Sequence, residues 1–199
     1  MLANVIVAII WVGVLAYAVF GGADFGSGFW DLLAGSDRSG AGVRKQIDRS
    51  IGPVWEANHV WLIFILVYLW TAFPSAFAAI VTGLFLPFVG VAVGIVFRGA
   101  AFVFRKSSVS IAQARFFGVL FSVSSVITPF FLGAAIGALA SGRVSADRVN
   151  DPITVWIAPT PILGGVLAVG TCAWLSAVFM ARDSAKAGNV LMADYFAVR

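Results

Sequence analysis

The stretch VIVAIIWVGVLAYAVFGGADF, Val5 to Phe25, decides the reading of the fold. It carries one charge, Asp24, next to its far end. A helix needs about 20 mainly apolar residues to cross the hydrocarbon core of a bilayer, and this stretch is that long. Four further runs meet the same requirement, near residues 55–73, 76–104, 116–139 and 161–180. The run 76–104 is long enough to tilt. Regular alternation of apolar and polar residues is absent, and a lone sheet in lipid would leave its edges unpaired. The chain therefore reads as all-α: one integral membrane helical bundle of about five transmembrane helices.

Composition agrees. Of 199 residues, 61% are hydrophobic and 11% are charged. An ordinary soluble domain carries about 25% charged residues, so this chain could not cover a globular surface in water. Membrane lipid is its natural solvent. The net charge is +4, yet the basic residues gather in the gaps between apolar runs. That is a membrane pattern and offers no basic, aromatic-interleaved surface for nucleic acid. The single cysteine, Cys172, excludes an internal disulfide and reads as packing. The N-terminus, Met1-Leu2-Ala3-Asn4, lacks the basic n-region of a cleaved signal, so the first run is expected to be a retained helix.

The gaps differ in charge. Arg38, Arg44, Lys45 and Arg49 follow the first run; Arg98, Arg105, Lys106 and Arg115 lie around the gap after the third; Arg182, Lys186 and Arg199 follow the fifth. The alternate gaps hold only Arg143 and Arg148. The positive-inside rule places the basic-rich side in the cytoplasm, with the N-terminus outside and the C-terminus inside. Residues 31–52 are expected to be a cytoplasmic loop, with a short surface helix around Val43 to Ser50. Asn150-Asp151-Pro152 reads as a turn. Pro87 and Pro129 are expected to kink or loosen their helices. Gly90 and Gly94, like Gly133 and Gly137, are spaced for close helix packing.

Ionisable residues inside apolar runs are costly and are functional candidates by default. Asp24, Glu56, His59 and Arg98 all fall toward the cytoplasmic leaflet in this topology. Glu56 and His59 are three apart and share a helix face, while Asn58 points nearly opposite. Two readings stand side by side. Asp24 and Glu56 could form the mouth of a proton path from the cytoplasm, or they could lie at the headgroup level with Arg98 neutralising one of them as a structural ion pair. Asp31 lies further out and reads as a solvated loop or helix-end residue. With one histidine and no bis-histidine pair, His59 reads as a polar interhelical contact, since haem iron wants His or Met axial ligands. The seven tryptophans read as an interfacial belt.

Two motifs carry a resemblance. Gly22-Ala23-Asp24-Phe25-Gly26-Ser27-Gly28, at the end of the first helix, resembles the Gly-Phe/Ala-Asp-x-Gly motif of cytochrome bd-type quinol oxidase subunit II. Ile51-Gly52-Pro53-Val54-Trp55-Glu56-Ala57-Asn58-His59-Val60-Trp61 resembles that subunit's Pro-x-Trp-Asp/Glu-x-Asn-x-Val-Trp motif. Trp70-Thr71-Ala72-Phe73-Pro74 and Phe97-Arg98 also fit. The match covers the N-terminal half of the usual subunit.

The resemblance implies a role in a respiratory complex that oxidises quinol and reduces dioxygen to water. It implies that haems b and d are held by a haem-bearing subunit I, that this chain alone binds no haem, and that some members hold a structural quinone. Asp24 and Glu56 match the family's acidic positions, and Arg98 its arginine. The implied location is the plasma (inner) membrane of a prokaryote. Three departures stand out. Many members carry an acid where this chain has Gly21; the motif does not require His59; and the usual subunit has about twice as many helices, so a separate chain supplying the C-terminal half is one expectation. A small transporter or channel using Asp24, Glu56 and Arg98, or a scaffold with no transport chemistry, are the competing classes.

Overall fold

A computed structural model describes residues 1–35, 40–51, 55–145 and 151–199, leaving aside the side chains at 51, 55–57 and 106. The elements in order are α1 (Leu2–Leu33), α2 (Ala41–Ile51), α3 (Trp55–Ala72), α4 (Pro74–Gly83), α5 (Phe85–Lys106), α6 (Ile111–Ala140), α7 (Pro159–Lys186) and α8 (Val190–Val198). No strand occurs among the described residues. Among the described residues four helices, α1, α5, α6 and α7, are long and apolar enough to cross a membrane. Asn58–Ala72 and Pro74–Gly83 meet the same test together but are bent by 119°, which makes five spans if the pair counts as one. The fold is an all-α membrane bundle.

Three sequence expectations need correction. The run 76–104 is not one long helix: it breaks at Leu84, where α4 ends and α5 begins. Pro87 explains the break. It has no N–H to return to Gly83, so it sits in the first turn of α5, where no such bond is required, and starts a helix where a kink was expected. Pro74 does the same for α4, as its first residue. The stretch 31–52 holds more helix than expected: α1 continues to Leu33, while α2, Ala41–Ile51, is the short helix expected around Val43 to Ser50. Nor is the tryptophan set all belt. Trp11, Trp70 and Trp174 are exposed, but Trp30 is buried and donates from Nε1 to the Ala173 carbonyl at 2.8 Å.

Small residues set how closely the spans pack. Gly133 and Gly164 face each other across α6 and α7, where a Cβ on either would strike the partner's backbone. Without a hydrophobic driving force between helices in lipid, such close approach supplies the contact energy. Asp24 and Asp31 of α1 meet Arg98 and Arg105 of α5 in the same order, so the two run parallel, and α6 runs back beside both, with Ser125 and Ser122 in reverse order. Below α1, the cluster of Trp30, Ala34, Val43, Ile47, Met180 and Phe196 ties α2, α7 and α8 to the helix end. At the opposite end of α6, Leu84, Ala135, Ala138 and Val155 form a second cluster.

Candidate functional site

The site is built on the second half of α1. Its first half is largely exposed, as a lipid-facing helix should be, but Gly21 to Gly28 are all buried. Each glycine there admits a different neighbour. A Cβ on Gly21 would lie 2.9 Å from Asn58 Oδ1 on α3. One on Gly22 would lie 2.7 Å from Leu175, and one on Gly26 would overlap the Cys172 carbonyl, both on α7. One on Gly28 would overlap Ser125 on α6. The glycine-rich motif is thus a docking surface for three helices at once.

Asp24 occupies the remaining face, fully buried. Arg98 of α5 reaches it with a two-pronged pair: Nη2 donates to Oδ1 at 2.8 Å and Nη1 to Oδ2 at 2.9 Å. Nη2 also donates to the Asp24 carbonyl at 2.9 Å, and Nε to Ser125 Oγ at 2.9 Å. Phe25 and Phe121 lie on the guanidinium, with ring centroids 5.0 and 4.8 Å from its carbon. Planar pairing and aromatic stacking together are an arginine's geometry and not a lysine's. Asn58 Nδ2 approaches Asp24 Oδ2 at 3.4 Å, while Asn58 Oδ1 is buried with no partner among the described residues. Three helices, α1, α3 and α5, therefore meet at one carboxylate, and Ser125 adds α6 through the guanidinium. An isolated ion at this depth would cost several kcal/mol, and the mutual pairing with its extra hydrogen bonds is what offsets that cost.

Seven residues along α1, Asp31 repeats the arrangement. Seven residues in a helix advance about 10.5 Å and return to nearly the same face. Arg105 lies seven residues beyond Arg98 on α5, and its Nη1 donates to Asp31 Oδ2 at 2.8 Å. Ser122 of α6 donates to Asp31 Oδ2 at 3.1 Å, and Arg44 Nε of α2 donates to Oδ1 at 2.7 Å. So α1, α5 and α6 carry two rungs of acid, arginine and serine. Asp31 is 4% exposed, which overturns its reading as a solvated residue. The outer rung was the part missed by sequence reasoning. Its signal was available: Asp24 with Asp31 and Arg98 with Arg105 share a spacing of seven.

Of the other sequence candidates, Trp55 and Glu56 begin α3, but their side chains lie outside the described residues. Trp61 is half-buried and packs edge-on against Phe64, with centroids 6.2 Å apart. His59 is half-buried and has a partner. No group of three His, Cys, Asp or Glu side chains converges as a metal site among the described residues. Met180 is spent in the apolar cluster with Trp30 and Phe196.

Comparison with known proteins completes the picture. The family model for "Cytochrome bd terminal oxidase subunit II" matches residues 2–196. A cytochrome bd ubiquinol oxidase subunit 2 of Bacillus subtilis is 31% identical over 170 residues, which is 84% of this chain and 48% of that protein. The cytochrome bd-I ubiquinol oxidase subunit 2 of Escherichia coli is 27% identical over 169 residues, 80% of this chain and 43% of that one. A putative cytochrome bd menaquinol oxidase subunit II of Bacillus subtilis is 28% identical over 130 residues, 65% of this chain and 36% of that one. The chain spans about half the length of the curated relatives it matches. Its apolar helices and these matches make it a multi-pass protein of a prokaryotic plasma (inner) membrane. The chain belongs to the cytochrome bd terminal oxidase subunit II family.

Proposed function

We propose that this chain is a helical scaffold within a quinol:oxygen oxidoreductase, packed beside a haem-bearing partner, and that Glu56 is its acid for proton uptake. The observation that carries the reading is the closed Asp24–Arg98 pair. Asp24 accepts three hydrogen bonds through its carboxylate, two from Arg98 and one from Asn58, inside a packed core. A group held this way fixes helices. It is a poor relay, because a relay needs an acid free to gain and lose a proton. Glu56 lies two residues before Asn58 on α3, so its backbone starts within about 3 Å of axial depth of the site. The basic-rich side faces the cytoplasm in this account, the side from which protons for water formation are drawn. The haems of the partner supply the redox chemistry; the relatives' names speak of a ubiquinol and a menaquinol. Another chain, or a longer form of this one, provides the half that the relatives have beyond the matched region.

The transporter reading loses ground on the same geometry, since Asp24 and Arg98 are closed on each other and leave no polar cavity between them. The test is oxygen consumption by the assembled complex at matched haem content. Glu56→Gln is expected to lower turnover about a hundredfold, the lower end of what a positioned proton donor contributes, while the b and d haem absorbance stays. Unchanged turnover per haem would remove Glu56 from the account. Failure of any haem-bearing partner to copurify would remove the oxidase role itself.

A further inference from the structure

A cleft of 490 Å³ opens beside the outer rung, where α1 and α5 end and α6 begins. Arg44, Arg105 and Arg115 line it, and among the described residues Asp31 is the one acid in its lining. Arg44 and Arg105 each give Asp31 one short bond. Arg115 is exposed and has no ion-pair partner among the described residues. Asp48 stands one turn beyond Arg44 on α2, outside the lining. The described lining thus keeps a surplus of positive charge. Its apolar side is equally marked: Leu32, Ile111 and Val119 are 46%, 83% and 55% exposed. Guanidinium groups at the ends of membrane-spanning helices, beside exposed aliphatic side chains, sit where headgroups meet hydrocarbon.

We propose that this cleft binds an anionic phospholipid, its phosphate on Arg115 and Arg105 and an acyl chain along Leu32, Ile111 and Val119. The planar fork of arginine matches phosphate oxygens, and a second guanidinium beside it adds to the attraction. A zwitterionic lipid would bring its own cation into a cleft already rich in them. A soluble anion would leave the aliphatic strip uncovered. The site requires only that the chain be embedded in a membrane, so it stands apart from the oxidase reading.

The experiment is native mass spectrometry of the full chain, released from detergent micelles holding phosphatidylglycerol and phosphatidylcholine with identical acyl chains. Phosphatidylglycerol is expected to be retained about fivefold more often, and Arg115→Gln to erase about that factor, the worth of one basic residue at an anionic membrane surface. Arg182→Gln, exposed on α7 and away from the cleft, should keep the preference. Equal retention of the two lipids overturns the proposal, as does an equal loss in both variants. Displacement of the lipid by inorganic phosphate alone would also overturn it, since it marks a soluble-anion site. Should Arg115→Gln fail to fold, the unaltered chain still decides: the preference must fall as salt is raised, and a salt-indifferent preference overturns the proposal.

Discussion

The two rungs on α1 use the same three residue types and differ in depth. The inner acid, Asp24, is fully buried, and its arginine side chain is 5% exposed. The outer acid, Asp31, is as well enclosed, but its arginines are 23% and 18% exposed. The inner rung has one cation, used for two bonds to the carboxylate and flanked by two rings. The outer has two cations with one bond each, and water reaches both. Identical chemistry therefore performs two tasks. At depth it holds helices by a bond that neither partner can leave. At the rim it ties three helix ends together and leaves arginine surface for other contacts.

The largest break should come from Asp24→Asn. It strands a buried guanidinium, and the loss should be about 3–5 kcal/mol, read as thermal unfolding in detergent. Asp31→Asn should cost less, about 1.5–3 kcal/mol, because its arginines can turn to water. Raising salt to about 1 M, where charges are screened beyond some 3 Å, should narrow the gap between wild type and Asp31→Asn and leave the Asp24→Asn gap unchanged. Gly26→Ala separates the two rungs in another way. Its new methyl overlaps the Cys172 carbonyl, so α7 must move away from α1 beside the inner rung, at a cost of about 1–3 kcal/mol read as thermal unfolding, while the Asp31 bonds to Arg44 and Arg105 stay.

The smallest effect marks the limit of the series, a carboxylate with no ion pair among the described residues. Asp151 Oδ1 accepts from the backbone N–H groups of Thr154 at 3.0 Å and Ile153 at 2.8 Å. These bonds, that of Thr154 first, hold its pKa below the usual carboxylate range. A depressed folded pKa means the stabilisation is present above the ordinary value and is lost as pH falls through the lowered one. Amide exchange at Ile153 and Thr154 should therefore show its protection weakening only at acid pH, with no change in the rest of the bundle.

Much of this was legible in the chain itself. Long apolar runs, charges gathered between them and glycines at four-residue spacing all state local rules, and lipid enforces those rules strictly. Asp24 and Arg98 stood out because a charge in such a run needs a reason. What local rules could not supply was register. The shared spacing of seven sets Arg105 opposite Asp31 only once Asp24 is paired with Arg98, and that depends on how α5 slides against α1. A charge at the end of a run usually reaches water, so Asp31 looked solvated. The break at Leu84 was hidden for a similar reason: hydropathy is continuous across 76–104, and only the missing N–H of Pro87 ends one helix and begins another. Trp30 followed the belt pattern by position, but α8 folds back and covers it.

A double-mutant cycle on Asp24 and Arg98, with unfolding in detergent as the readout, tests the inner rung as a clasp. Asp24→Asn and Arg98→Gln should each be costly alone, and the double variant should recover about 2 kcal/mol relative to their sum. Additive losses, within about 0.5 kcal/mol, would mean that the two side chains act independently and that the bundle is not held together through their pairing.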